Sequence, residues 1–299
     1  MIYSRPNAAL RTEGEHDHMV RIISDTSTMY STKEAREAGF AVSPLAVTIA
    51  GESYRELDEM TAKRFVEIIH EGHMPVSSQP AIGEVMALYE EFKDDEILNI
   101  TIADGLSGTY STAVSAANTC DYADQITVHN TETLCGPHRY MVELAVKMAA
   151  DGACVEQIVE QIKALTATSK SYLIPEDFDY LRRGGRLSGA VAFIGKAIKL
   201  APVMTLTPDG RRLTSSAIKR SFKQAIAHVA KQYAEQDMGD GAGWRLYVVH
   251  AEMPEKAEQA KAILMESFPK AEYEVYPLTP AFITQGGPGC VAVQSVKLV

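Results

Sequence analysis

The sequence contains no apolar run that approaches the ~18 residues a membrane-spanning helix needs. Its longest uninterrupted apolar stretches, such as Ala190 to Ile194, are a fraction of that length. Basic side chains are in the minority: 29 Lys and Arg stand against 39 Asp and Glu, for a formal net charge of −10. This balance argues against a general nucleic-acid binder and against an anionic membrane surface as default partner, since both call for a cationic face. It leaves room for a local basic patch. Cysteine is scarce: Cys120, Cys135, Cys154 and Cys290 lie far apart, with no CxxC pair. That is neither a disulfide framework nor a zinc spacing, and it suits a reducing cytoplasm. Residues 1–18 lack the apolar core of a signal peptide. His16 and His18, within that stretch, read as part of a frayed tail rather than a metal site.

Several chemical signatures are also missing. No GxGxxG follows a strand, so a dinucleotide fold is disfavoured. Leu106-Ser-Gly-Thr-Tyr110 is glycine-flanked but lacks the Gly-Lys-Ser/Thr ending of a phosphate-binding loop. No GxSxG elbow offers a hydrolase nucleophile. The eight histidines are dispersed, and His250, at a strand end, reads as a loop or core residue rather than a base.

What remains is a 299-residue chain with 46% hydrophobic and 23% charged residues, the composition of a globular protein with a real core. Its length fits one large domain or two ordinary ones. Apolar runs at 19–24, 41–49, 97–102 and 125–129 predict strands. Helical periodicity follows at 61–70, 81–92, about 109–118, 140–150 and 155–168. Alternating strands and helices imply βαβ units and a parallel sheet. The second half predicts a hairpin, 202–206 with 212–216, around Pro208-Asp209-Gly210. Helices at 221–234 and about 254–268, strands at 244–250 and 272–276, and a closing strand at 290–298 follow. The expected organisation is α/β: a flexible tail over 1–18, an N-terminal α/β domain over 19–165 and a C-terminal α/β domain over 166–299.

Three hydroxyl-rich loops follow predicted strands of the first domain: Ser24 to Thr28, Ser77 to Gln79 and Ser107 to Ser111. Loops at the carboxyl ends of parallel strands converge on one rim, where ligands bind. Such hydroxyls either cap helices or, together with helix-start N–H groups, hold a carboxylate or phosphate. Arg182-Arg183-Gly184-Gly185-Arg186 concentrates three guanidiniums suited to either anion, or else forms a solvated basic face. Lys219 and Arg220 make a second small basic cluster. Gln285-Gly-Gly-Pro-Gly289 reads as a turn, with glycines that permit close approach to a ligand or another loop.

Together these segments resemble the DegV family of bacterial fatty-acid-binding proteins. The resemblance runs from Met19 to Val299. It is carried by Ser24-Asp25-Thr26-Ser27, Ser77-Ser78-Gln79-Pro80, Leu106-Ser-Gly-Thr-Tyr110, Tyr180-Leu-Arg-Arg-Gly-Gly-Arg-Leu-Ser188 and Gly287-Pro288-Gly289. It implies a DegV-like fold with one long-chain fatty acid in an apolar tunnel between two domains. The carboxylate would sit at the mouth. It further implies presentation of that acid to a separate fatty acid kinase, which makes an acyl-phosphate for phospholipid synthesis. On this reading the chain is a carrier and not an enzyme, and it needs no cofactor beyond the bound lipid.

By the same resemblance Ser77 stands where the family has a carboxylate-binding threonine. Arg186 is similar to the arginine near the head group, and Lys219 and Arg220 to the kinase-docking surface. Ser78, Ser107 and Gly286 complete the expected ligand-binding set, with two departures. Ala103 and Asp104 replace a pair of serines, so Asp104 would repel a carboxylate unless protonated or turned away. Gln285 replaces a histidine; its amide still donates but cannot charge. A second reading stays open: a small phosphotransferase or hydrolase using the hydroxyl-rich rim, with Asp104 as base. A third, an interaction protein without ligand, leaves the clustered hydroxyls unexplained.

Overall fold

The structure, a computed structural model, describes residues 19–189 and 200–299. The tail assigned to 1–18, with its two histidines, and the apolar run at 190–194 lie outside the described residues.

Apolar-rich segments form the strands, with Val20–Asp25 and Glu96–Thr101 almost wholly buried. Strand β1 (Val20–Asp25) leads through a short 3-10 turn to helix α1 (Thr32–Glu37), which Ser31 and Glu34 cap reciprocally. The stretch 41–49, expected as one strand, is two: β2 (Ala41–Ser43) and β3 (Ala46–Ile49). Pro44 stands between them, and a residue without an N–H cannot carry the ladder on. A tight turn with positive φ at Ala50 and Gly51 brings in β4 (Glu52–Arg55). Helix α2 (Ala62–His70) follows. The segment 75–80, expected as a loop, contains β5 (Val76–Ser78), which pairs antiparallel with β3, Val47 opposite Ser77.

Helix α3 (Ile82–Glu91), β6 (Glu96–Thr101), α4 (Thr109–Ala117), β7 (Ile126–Asn130), α5 (Cys135–Ala150) and α6 (Val155–Thr168) complete the first half. The sheet β2-β1-β6-β7 is parallel throughout. Helix α5 starts five residues before its expected position. Gly136 and Pro137 occupy its first turn, where a missing N–H costs nothing.

The second half opens on a strand that was not anticipated, β8 (Lys170–Ile174), then α7 (Phe178–Gly184). Next come β9 (Ala201–Leu206), β10 (Leu213–Lys219), α8 (Phe222–Ala234), β11 (Trp244–His250), α9 (Pro254–Ser267), β12 (Glu272–Pro277), α10 (Pro280–Gly286) and β13 (Val291–Lys297). Gln285 and Gly286, expected in a turn, close α10 instead. The six-stranded sheet runs β10-β9-β8-β13-β11-β12, antiparallel except for β11 with β12.

One face of this sheet packs on α8 and α9 through Ile226, Val229, Val248 and Val293. Another core, around Leu98, Met141 and Ile158, takes in Tyr247 and Val296 of the six-stranded sheet. The two halves are therefore joined by packed side chains. No described helix is long and apolar enough to cross a membrane.

Candidate functional site

Strand β8 alternates. Tyr172 and Ile174 turn into the core beneath α8, so Ser171 and Leu173 face the other way. On the neighbouring β13, Ala292 and Gln294 stand opposite Leu173 and Ser171. These four side chains form the floor of a chamber beneath α10, beside the carboxyl ends of the parallel strands. Leu45, Ile102, Leu106, Leu134, Leu206, Leu213 and Leu278 supply most of its apolar wall. Its cavity volume is about 110 Å³, with a mouth open to solvent.

Polar groups gather on one side of the chamber. Ser77, Ser78, Gln79, Ser107, Arg186 and Gln285 all line it, and Gly286 lies in the same wall. The amide of Gln285 donates through Nε2 to Ser77 Oγ at 3.0 Å, bridging α10 and β5. Its Oε1 is buried without a partner among the described residues and lies over Gly184, where a Cβ would collide with it. Gly286 is closely enclosed: a Cβ there would stand 2.6 Å from Cys290 Sγ.

The half-buried Arg186 donates from Nε to the Leu106 carbonyl at 3.1 Å and from Nη1 to the Gly184 carbonyl at 2.6 Å. Burial, then the neighbouring Arg212, lowers its pKa, but an arginine stays charged. The result is an apolar chamber with neutral donors and one fixed cation at one end, an arrangement that receives a single anionic head on an apolar body.

Six of the seven ligand-binding residues expected from sequence thus meet in one wall. Asp104 does not. It is absent from the chamber lining, and its carboxylate is turned to Arg211, 2.6 Å away. The phosphotransferase or hydrolase reading placed Asp104 on this rim as base; its carboxylate faces Arg211 instead. The expected docking pair sits elsewhere: Lys219 ends β10, and exposed Arg220 lines a shallow cleft with Phe222 and Lys256. Neither forms an ion pair with a described residue. His250 accepts the Met253 N–H on Nδ1 at 3.1 Å, a loop-closing role. Among the described residues no cluster of three or more His, Cys, Asp or Glu side chains is placed to hold a metal.

The hydroxyls of Ser24 to Thr28 also depart from expectation. All five residues are fully buried, and their polar groups are used internally. Asp25 accepts the Ser27 and Ile102 N–H groups, each at 2.9 Å. Ser24 Oγ donates to the Ile100 carbonyl and stands 3.1 Å from His138 Nε2, while Ser27 Oγ lies 2.6 Å from Nδ1. Burial lowers the His138 pKa, keeping the ring neutral. This loop is structural and not part of the rim.

Sequence reasoning missed Ser171 and Gln294. Gln294 is buried, donates to Ser171 Oγ at 2.8 Å and to the Leu134 carbonyl, and accepts the Gly136 N–H. A glutamine inside the apolar run of a closing strand was the available signal.

The profile of a family described as uncharacterised protein, DegV family, matches residues 19–298. The chain belongs to the DegV family. Protein DegV of Bacillus subtilis is 32% identical over 259 residues, 85% of this chain and 90% of that one. A DegV domain-containing protein of Staphylococcus aureus is 30% identical over 280 residues, 93% and 99% of the two chains. Among solved structures, a DegV family protein from Thermus thermophilus, described by its fatty acid binding, superposes with a TM-score of 0.84. It shares 25% identity and covers 94% of this chain and 100% of its own. DegV from Bacillus subtilis, described as a fatty acid binding protein, gives 0.81 at 28% identity, covering 94% and 99%. The expected DegV-like α/β fold is therefore the observed one.

Proposed function

We propose that this DegV protein binds a long-chain fatty acid in the chamber between β8, β13 and α10. Its carboxylate would lie among Ser77, Ser78, Ser107, Gln285 and Arg186, beside the Gly286 backbone. The observation that carries the reading is the chamber's lining: apolar side chains over most of the wall, Ser171 and Gln294 in the floor, and Ser77, Ser78, Ser107, Gln285 and the half-buried Arg186 guanidinium beside them. The fatty-acid-binding DegV proteins of Thermus thermophilus and Bacillus subtilis, alike in fold over nearly the whole chain, support it.

In this reading the chain divides into a tail over 1–18 and two units, 19–165 and 166–299, that clasp the lipid. The protein acts as a carrier in the cytoplasm. It presents the acid to a separate fatty acid kinase that forms an acyl-phosphate for phospholipid synthesis, and Lys219 and Arg220 dock that kinase. Both cations lie apart from the chamber and free of ion pairs with described residues, which suits a surface waiting for an acidic partner.

Mass spectrometry of organic extracts from the purified protein tests the first step. A stoichiometric long-chain acid is expected. No extracted acid, together with no binding of added C14–C18 acids, would refute the carrier reading. Kinase docking is checked by Lys219→Glu with Arg220→Glu, expected to abolish acyl-phosphate formation in a reconstituted mixture while leaving acid binding intact.

A further inference from the structure

A carboxyl group shut away beside the chamber ties the two halves together without lining it. Glu56, just after β4, has no exposed surface and no described cation bonded to it. Its Oε1 accepts the Thr26 hydroxyl at 2.5 Å, and its Oε2 accepts the Ala281 N–H at 2.8 Å. Its own N–H donates to the Leu45 carbonyl at 2.9 Å. Ala281 lies in the first turn of α10, 225 residues further along the chain. That helix places Ala281, Phe282, Gln285 and Gly286 in the chamber wall, and Leu45 lines it as well. Whatever tightens or loosens the bond from Glu56 to Ala281 therefore acts on the wall that carries Gln285.

An ionised carboxylate holds an N–H at a helix start roughly twice as strongly as a neutral acid does. Burial opposes ionisation and pushes Glu56 up to about 7; the charge of Asp25 adds to the rise, while the hydrogen bonds resist it. The groups facing it are few. The end of β1 offers Asp25, and the start of α5 offers Cys135, whose thiol burial keeps neutral. Helix α10 and strand β3 carry no ionisable side chain. On the segment of Glu56 itself, Arg55 and Glu59 are exposed and pair with each other, and Asp58 accepts from Thr32. His138 bonds to Ser24 and Ser27 and not to Glu56.

We propose that Glu56 is a positioning residue for the chamber: its charge state sets how firmly α10, and with it Gln285, is held against Ser77. The choice of a fatty acid as reporter rests on the function proposed above. The two linked effects have opposite signs. Because the folded state holds this proton more tightly than the unfolded chain, Glu56 lends stability below the ordinary carboxyl range that is lost as pH rises through about 7. Grip on α10 moves the other way: the Ala281 N–H favours the ionised form, so with the carboxyl kept enclosed by Thr26 and the end of β1 that bond strengthens as Glu56 ionises.

The test compares the full chain with Glu56→Gln. The variant keeps an oxygen for the Ala281 N–H and turns an NH₂ to Thr26, so it stands for the protonated acid and is expected to fold. Two quantities are read at pH 6 and pH 8, both above the ordinary carboxyl pKa: the dissociation constant for oleate, and hydrogen-exchange protection of residues 281–287 without ligand, corrected for intrinsic exchange. For the unaltered protein, protection is expected to rise and oleate binding to tighten about fivefold between pH 6 and pH 8. In Glu56→Gln both should stay flat, near the pH 6 values. If the variant keeps the unaltered profile of α10 protection, the positioning role is overturned; so it is if only thermal stability changes. If α10 protection responds as expected but oleate binds at neither pH, the positioning role stands and the fatty-acid reading falls.

Discussion

Two hydroxyl-rich loops that look alike in sequence have opposite fates in the fold. Ser24 to Thr28 ends β1 and makes the turn after it, and Ser77-Ser78 lies in β5. Each stretch is short, polar and next to an apolar run. In the first, every residue is buried, and Asp25, Ile100, His138 and Glu56 consume its hydrogen bonds. In the second, among the described residues the Ser77 hydroxyl meets only the Gln285 amide, at the edge of an apolar chamber, and keeps its proton to donate. A hydroxyl can serve a ligand only if the chain has not already spent it. The number of serines in a loop does not reveal this; their partners do.

The contrast can be broken at either end. The largest stability effect is expected in the sealed loop. Asp25→Ala strands the buried N–H groups of Ser27 and Ile102 and should cost about 3 kcal/mol or more, read as a fall in the denaturant midpoint. At the mouth the effects should fall on ligand. Arg186→Ala is expected to weaken fatty-acid binding by roughly 10- to 100-fold, with a far smaller stability loss than Asp25→Ala, measured by titration calorimetry. Ser77→Ala should weaken binding roughly 3- to 10-fold and barely move the melting temperature. A larger stability loss for Ser77→Ala than for Asp25→Ala would erase the distinction. The smallest effect is expected at Asp104. Its contact with an exposed Arg211 is a surface pair, so Asp104→Ala should change fatty-acid affinity by less than about twofold. A gain of tenfold or more would mean that its charge still reaches the head group.

Much of the first half was legible because parallel strands buried on both faces write themselves as plain apolar runs. Val20 to Asp25, with Ile22 and Ile23, and Glu96 to Thr101, with Ile97, Leu98 and Ile100, carry that signal despite the polar residues among them. The chamber-forming elements were not. Strand β5 is three residues long, two of them serines, between Pro75 and Pro80, so every local cue said loop. In β8 the apolar signal is split between a core face, Tyr172 and Ile174, and a chamber face, Ser171 and Leu173. Helix α10 ends in a glycine that reads as a turn until Cys290 is seen packed against it. The family motifs brought Ser77, Arg186 and Gln285 together in advance, because spacing within a known pattern stands in for tertiary contact. No local rule could pair Asp104 with Arg211, 107 residues on, or show that a run of five polar residues folds inward.

Strand β13 lies between β8 and β11 in the middle of the six-stranded sheet, although it is the last strand along the chain. During synthesis, then, β8 and β11 wait for residues 291–297 before they have a common neighbour. Ala292 and Gln294 arrive with that strand, so the ligand chamber has no complete floor until this late segment inserts. The chamber is thereby completed only with the sheet: a chain without residues 291–297 has two unpaired strand edges, and only the finished one has a floor to the chamber.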